Sequence, residues 1–335
     1  MALAVLLSTS ILITYELQRL HIDKNVQANV GSVRQVVLMH LEGITHTLNG
    51  LLDFIKEDKY LMAAWLEKDR LAMLRHAGPI LTKTLSRQKV THFYFIGSDK
   101  VCFLRVHKPE SHGDIIRRYT LDRAQNESRP ASGIELGPFG TLTFRVVHPW
   151  WVRGELVGFI ELGVEIENLA PKLKKILGSD LVFTVNKSYL DRAKWEEGLM
   201  MMERSGNWDQ FSDYVIFSQT LEEIPAKISQ HKRLDEIERE GHIFSISTSR
   251  RQYYGGFIPL IDAGNKVLGD IIVLKDITAE ENALRTLSII MIAASVVIGA
   301  LLFGFFFFFV GRIEHRLVKS QNDLLTEIDG RTKKQ

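Results

Sequence analysis

Gly133–Trp151 reads GIELGPFGTLTFRVVHPWW, two short β segments with a turn between them. In a strand, side chains alternate between faces, so Thr141, Thr143, Arg145 and Val147 share one face of the second segment. Leu142, Phe144 and Val146 fall on the other, which is a core face. Arg145 then looks either into water or into a covered polar pocket. The rest of the chain has to choose between them.

Outward from this stretch, period-two patterning recurs. VTHFYFIG, VCFLRVH, IELG, TLTFRVVHPWW and ELVGFIELGVE predict five strands, with the polar segment 108–130 inserted after the second. IENLAPKLKKILG predicts a linking helix over 166–178. A second round follows: DLVFTVNKSY, a helical stretch, DYVIFSQT, a helix over about 222–240, HIFSISTS, YYGGFIPLID and KVLGDIIVLKD. The two rounds repeat in architecture and not in sequence. Helices joined to runs of antiparallel strands predict an α+β chain with two PAS-like modules, at 88–165 and 179–277. Gly255 and Gly256, beside Tyr253 and Tyr254, predict a bulge in the second module, with close backbone approach as the alternative.

Upstream the period is helical. Val26, Val30, Val33, Val37, Leu41, Ile44, Leu48, Leu51 and Ile55 recur every three or four residues, an amphipathic stripe close to coiled-coil spacing. The stripe is expected to pack on its own domain and in part on a partner chain, with Val30, Val37, Ile44 and Leu51 as the seam. Asp58 is a candidate N-cap for a second helical stretch. Gly78-Pro79 is expected to interrupt it, with one more short helix following. Together 17–87 form a stalk helix and helical lead-in.

The ends are apolar. Between Arg285 and Arg312 lie 26 residues without a formal charge, enough to cross a bilayer core of about 30 Å as a helix. This predicts a span at 286–311. Residues 1–16 predict a first span whose opening residues lie before Met1; a signal-peptide core is the alternative, but no Lys or Arg precedes it and no A-x-A site follows. Arg312, Arg316, Lys319, Arg331, Lys333 and Lys334 follow the second span and place the tail, 312–335, in the cytoplasm as a coiled-coil helix. Two passes then put 17–286 outside, periplasmic or extracellular. Charge is nearly balanced, 42 Lys and Arg against 40 Asp and Glu, which gives no basic surface for nucleic acid. Cys102 is the single cysteine, so an intramolecular disulfide and CxxC chemistry are excluded.

Alternation sorts the first module. Phe93, Phe95, Leu104, Val106, Leu142, Phe144, Ile160 and Leu162 form a face suited to the long helix. The other face carries Tyr94, Arg105, His107, Arg145 and Glu161. His107, His112, Asp114 and Glu110 match no sharp metal spacing, so neither metal nor cofactor is expected. Trp150 and Trp151 are expected to anchor the module to its neighbour, with a place at a pocket mouth as the alternative. No nucleophile elbow, phosphate loop or HExxH motif occurs, and no enzyme is read within the chain.

FYFIGSDKVCFLRVHKPESHGDIIRRYT, GIELGPFGTLTFRVVHPWW and LVGFIELGVEIE together resemble the double Cache sensor domain of the third type, over roughly residues 24–276. That domain occurs in bacterial transmembrane histidine kinases, diguanylate cyclases and chemoreceptors. The resemblance implies dimerisation through the long helix and a small-molecule site in the membrane-distal module. The inserted segment 108–130 would roof the polar face, bringing Asp114, Arg117, Arg118 and Tyr119 over it. Candidate ligand residues are then Tyr94, Arg105, His107, Asp114, Arg118, Arg145 and Glu161. They suit an anionic or zwitterionic molecule, and a neutral one if Glu161 is already neutralised by Arg. An internal Arg–Glu network that only pins the roof remains the competing account of the same residues. For the whole chain, a ligand sensor in a signalling receptor competes with a membrane-anchored interaction module that has no small ligand. A catalytic output domain is expected beyond Gln335.

Overall fold

A computed structural model describes residues 2–332 except 223, 226, 227, 229–242 and 249. The helix expected around 222–240 therefore lies outside the described residues. Asn25–Ile277 form one compact unit, and the terminal segments, through Lys24 and from Thr278, form another.

A continuous helix, α1 (Ala2–Lys56), leads into α2 (Lys59–Leu66) and α3 (Arg70–Lys83). Asp58 caps α2, accepting from the backbone N–H groups of Tyr60 and Leu61. The single stretch expected after Asp58 is broken at Lys68, whose φ of 58° is left-handed, and Asp69 recaps α3. Gly78-Pro79 does not interrupt: α3 runs through it to Lys83. Met73 and Ala77 are buried one turn below, and exposed Pro79 turns its lost backbone bond toward solvent.

The first sheet comprises β1 (Val90–Gly97), β2 (Cys102–Arg105), β3 (Ala131–Leu136), β4 (Leu142–Val152) and β5 (Glu155–Glu165). Its order is β2-β1-β5-β4-β3, antiparallel throughout. Between β2 and β3 the inserted segment forms α4 (Tyr119–Glu127). The predicted apolar face packs Phe93, Phe95, Leu142, Phe144, Ile160 and Leu162 against Leu48, Leu52 and Ile55 of α1 and Trp65 of α2. Burying such side chains stabilises by about 1.5–3 kcal/mol each. Gly158 is required here, since a Cβ would lie 2.5 Å from the Ile96 carbonyl oxygen and 2.6 Å from the Trp65 ring. Trp150 does not anchor a neighbouring module. It is buried within its own, 5.5 Å from the Trp65 ring, and donates to the Lys56 carbonyl, while Trp151 is exposed.

The linking helix α5 (Ala170–Leu177) ends on left-handed Gly178. A second sheet follows: β6 (Asp180–Asn186), β7 (Tyr214–Gln219), β8 (Ile243–Ser247), β9 (Gln252–Ile261) and β10 (Val267–Asp276), in the order β7-β6-β10-β9-β8. α6 (Arg192–Met201) lies between β6 and β7. The expected bulge at Gly255 and Gly256 is absent; both pair in register with β10. Close approach is the reason for Gly255, whose Cβ would meet the Phe244 ring and the Val273 carbonyl at 2.7 Å.

The α1 stripe packs on its own chain further than its spacing implied. Val26, Val33, Leu48, Leu52 and Ile55 are buried, and Val30, Val37, Ile44 and Leu51 lie partly buried against the same core. Leu38, Met39 and Phe54 stay exposed. From Thr278 a helix, α7 (Thr278–Thr332), contains the expected 286–311 span and the tail in one element. Among the described residues it is the one helix long and apolar enough to cross a membrane.

Candidate functional site

The second face of the first sheet is covered, so Arg145 does not face water. The insertion is tied down along both sheet edges. On the β2 side, Gly113 donates to the Cys102 carbonyl, Cys102 to that of Asp114 and Ile116 to that of Lys100. On the β3 side, the Thr120 N–H donates to buried Glu135 and Arg123 donates to the Ser132 carbonyl. Lys100 pairs with Asp122 at 2.6 Å. Leu121 and Ala124 of α4 bury themselves against Ile96, Val147 and Phe159.

Under this roof lies a buried charge cluster. Glu161, in the centre of the sheet, is fully buried, and Arg145 is 4% exposed. Arg118, at the N-cap of α4, and Arg145 both donate to the same oxygen, Glu161 Oε1, at 2.5 Å. Burial alone would raise the Glu161 carboxyl. Arg118 and then Arg145 outweigh it and hold the group below the usual carboxylate range. Two guanidiniums against one carboxylate leave one positive charge in excess. Tyr94 lies beneath: the Arg118 and Arg145 guanidinium carbons sit 4.8 and 5.6 Å from its ring centre, and that of Arg105 5.4 Å.

Around this cluster, polar atoms stand without partners. Arg145 Nε, Glu161 Oε2, Thr143 Oγ1 and Thr120 Oγ1 are buried and make no hydrogen bond. Leaving one such group unsatisfied costs about 1–3 kcal/mol. Thr143 and Arg145 converge with His92 on Gly163: a Cβ there would lie 2.9, 3.6 and 3.1 Å from their atoms. Glu135 is paired across from Thr143, and burial raises its carboxyl above the ordinary range.

The histidines are held neutral. Burial, then Arg145, pushes His92 down to about 2; burial likewise lowers His107 to about 4. The bond from the Phe93 N–H makes His107 Nδ1 an acceptor. The His92 ring lies parallel to Tyr94 at 6.2 Å and edge-on to His107 at 4.8 Å.

Of the seven residues expected to form the site, Tyr94, Arg118, Arg145 and Glu161 meet at its centre, with His107 against Tyr94. Arg105, its guanidinium also over Tyr94, is committed to a bidentate pair with Asp114, both bonds 2.7 Å, and donates to the Ser111 carbonyl. The Asp114 side chain is 55% exposed and stands at the rim. His92, Thr120, Glu135 and Thr143 were not foreseen. His92 and Thr143 could have been, because each lies two residues from a foreseen one on the same strand face.

Residues 32–195 match the family model described as the double sensory domain of two-component sensor kinases, a match that ends inside the second module. The chain is also similar to the sensor domain of the Vibrio cholerae histidine kinase DctB, at 13% identity, covering 77% of this chain and 98% of that one, with a TM-score of 0.46. It resembles the ligand-binding domain of the Campylobacter jejuni chemoreceptor Tlp3 in complex with L-valine, at 11% identity, 80% and 97% coverage and a TM-score of 0.44. The periplasmic domain of Vibrio cholerae LuxQ gives 12% identity, 76% and 99% coverage and a TM-score of 0.42. No curated protein sequence matches the chain.

Proposed function

Because residues 32–195 carry a double Cache sensor domain, we propose that this chain is the sensing part of a bacterial transmembrane receptor. Its first module binds a small anionic or zwitterionic molecule on the face of Tyr94, Arg118, Arg145 and Glu161. The observation that carries this reading is the set of unpartnered buried atoms, Arg145 Nε, Glu161 Oε2, Thr143 Oγ1 and Thr120 Oγ1, gathered around one excess positive charge. Each buried polar group left unsatisfied costs stability, and a ligand carboxylate can accept from the donors gathered here. An ammonium group would suit Glu161 Oε2. The chemistry is binding and release without turnover.

The wider architecture belongs to the same proposal. A first span at the start of α1 and a second within α7 hold 17–286 outside the bilayer, with the tail from Arg312 in the cytoplasm. Two copies pair along α1, and the outward apolar residues Leu38, Met39 and Phe54 are the contact surface this requires. Differential affinity of the ligand for two arrangements of that dimer supplies the signal.

A ligand that binds only the folded state stabilises it by about 2.7 kcal/mol at a hundredfold excess over its dissociation constant. The test is a thermal-shift screen of carboxylates, amino acids and amines on the full chain in detergent. Arg145→Ala should abolish the shift produced by a true ligand. Full retention of affinity in that variant would place the ligand elsewhere. If the cluster serves only to pin the roof, the variant instead melts far lower with no ligand added, and no compound shifts the parent.

A further inference from the structure

The two modules meet along a seam built by the free edge strand β3, the start of α4 and the β9–β10 turn. Ala263 in that turn donates its N–H to the Ile134 carbonyl at 2.8 Å, extending the first sheet by one bond into the second module. Gly133 allows this, since its Cβ would lie 2.7 Å from that of Ala263. Gly264 carries the Tyr119 ring, which a Cβ would strike at 2.8 Å. The turn is itself fixed: Asp262 Oδ1 accepts from the N–H groups of both Gly264 and Lys266.

Beside these contacts a cleft of about 540 Å³ opens between the modules. Arg117, Arg118, Tyr119 and Glu135 line it from the first module, Tyr189, Asp262 and Lys266 from the second, with Leu136 and Leu268 as apolar wall. That volume lies within the range of small-molecule sites, about 300–1,000 Å³, and the lining is richly charged, with two rings and two leucines beside six ionisable side chains. Most of its charges are already committed. Arg118 is held by Glu161, Asp122 by Lys100 and Asp262 by its own turn. Glu135 is held by the Thr120 N–H. Arg117 and Lys266 remain, one from each module, and neither has an ion-pair partner among the described residues. The Lys266 ammonium rests 4.5 Å over the Tyr189 ring, so cation and aromatic surface are presented together.

We infer that this cleft is a second binding site, which takes a small carboxylate with a flat or apolar body. Its carboxylate is held by Arg117 and Lys266, and its body lies against Tyr119, Tyr189, Leu136 and Leu268. The site is distinct from the buried face of the first module: it uses neither Arg145 nor Glu161 and stands or falls without them. Its occupant touches the roof of that face through Arg117 and Tyr119 and the second module through the β9–β10 turn. It therefore stabilises the seam itself, and β10 leads directly along the chain into α7.

The test uses the full chain in detergent, with benzoate, phenylacetate and succinate as probes and benzamide as the uncharged control. Hydrogen exchange is followed in the peptides containing 117–122 and 262–268. At least one carboxylate should protect both peptides together and saturably, with no protection by benzamide. Arg117→Gln and Lys266→Gln should each weaken the effect about tenfold or more, as expected for loss of one charged hydrogen bond. No saturable protection by any of the three carboxylates overturns the inference. So does protection that survives both Arg117→Gln and Lys266→Gln at undiminished affinity, an outcome that would place the carboxylate elsewhere.

Discussion

The two modules share a strand order and differ in what lies on the face turned away from the long helix. In the first, the central strand presents Glu161 between Tyr94 of β1 and Val147 of β4, with Arg145 alongside. In the second, the central strand presents Ile272 between Val182 of β6 and Phe257 of β9, within an apolar cluster that includes Phe244 and Leu274. The same face also buries Asp270, two residues along that strand, so what sets the first module apart is the Arg118–Glu161–Arg145 cluster at its centre. Replacing buried ion pairs by apolar side chains is often neutral or stabilising. The first module retains a more expensive face, and binding is the function that face can serve.

The largest expected effect comes from breaking this cluster on one side only. Glu161→Gln leaves two buried guanidiniums without a counter-charge, and it should destabilise the first module by about 3–5 kcal/mol in urea unfolding. Making the first face resemble the second, with Arg118→Met, Arg145→Met and Glu161→Leu together, should restore stability to at least the parent level while ligand binding is lost. A triple variant as unstable as Glu161→Gln would show that the charges hold the fold, and the comparison between modules would fail.

A pH effect of intermediate size should separate the modules. His92, His107 and His148 all belong to the first, and burial depresses each, the latter two to about 4. Below about pH 6.5 the unfolded chain takes up protons that the folded module refuses, so stability falls with acidification. The loss runs from about pH 6.5 down to about 4 and approaches 1.4 kcal/mol per pH unit for each histidine. Residues 179–277 carry His231 and His242, both outside the described residues, and no depressed histidine is found in the described part of that module. Urea midpoints at pH 7 and pH 5 should therefore drop for the first module's tryptophans and move less for Trp195 and Trp208. Equal drops would remove the distinction.

How much of this could be read beforehand follows the range of each interaction. Alternation on β1, β4 and β5 separated Phe93, Phe95, Leu142 and Ile160 from Tyr94, Arg145 and Glu161, because a strand fixes its faces within a few residues. The same logic misjudged Gly78-Pro79, where tertiary burial of Met73 and Ala77 outweighs a local breaker. It also left open whether the α1 stripe turns inward, since periodicity reports a face and not what covers it. Arg105 was placed on the right face, but its engagement by Asp114 depends on how the 108–116 loop closes over β2. The pairing of Thr120 with Glu135, and the seam at Ala263, join segments distant in sequence and left no local signal.

A smaller effect tests the apolar side of the comparison. Ile272→Val removes one methylene from a fully buried position and should cost about 0.5–1.5 kcal/mol, with no change in binding at the first module. A cost as large as that of Glu161→Gln would mean that the second face is as finely constrained as the first.

The smallest effect is expected at Asp114, and it separates the rim of the first face from its centre. Arg105 and Asp114 form two hydrogen bonds of 2.7 Å, the same geometry that makes a buried pair strong. Their setting differs from that of Arg145 and Glu161, because the Asp114 side chain is 55% exposed, although that of Arg105 is only 12% exposed. Water solvates the carboxylate in the unfolded chain and in the folded one alike, so the net gain of an exposed pair is about 0–1 kcal/mol. Asp114→Asn should therefore leave the urea midpoint almost where it was. Arg105 keeps its bond to the Ser111 carbonyl, and the backbone bonds from Cys102, Gly113 and Ile116 still hold the loop on β2. A loss above 2 kcal/mol, beyond what an exposed pair supplies, would show that the loop is held chiefly by this pair. Arg105 would then belong with Arg118 among the groups that keep the roof closed.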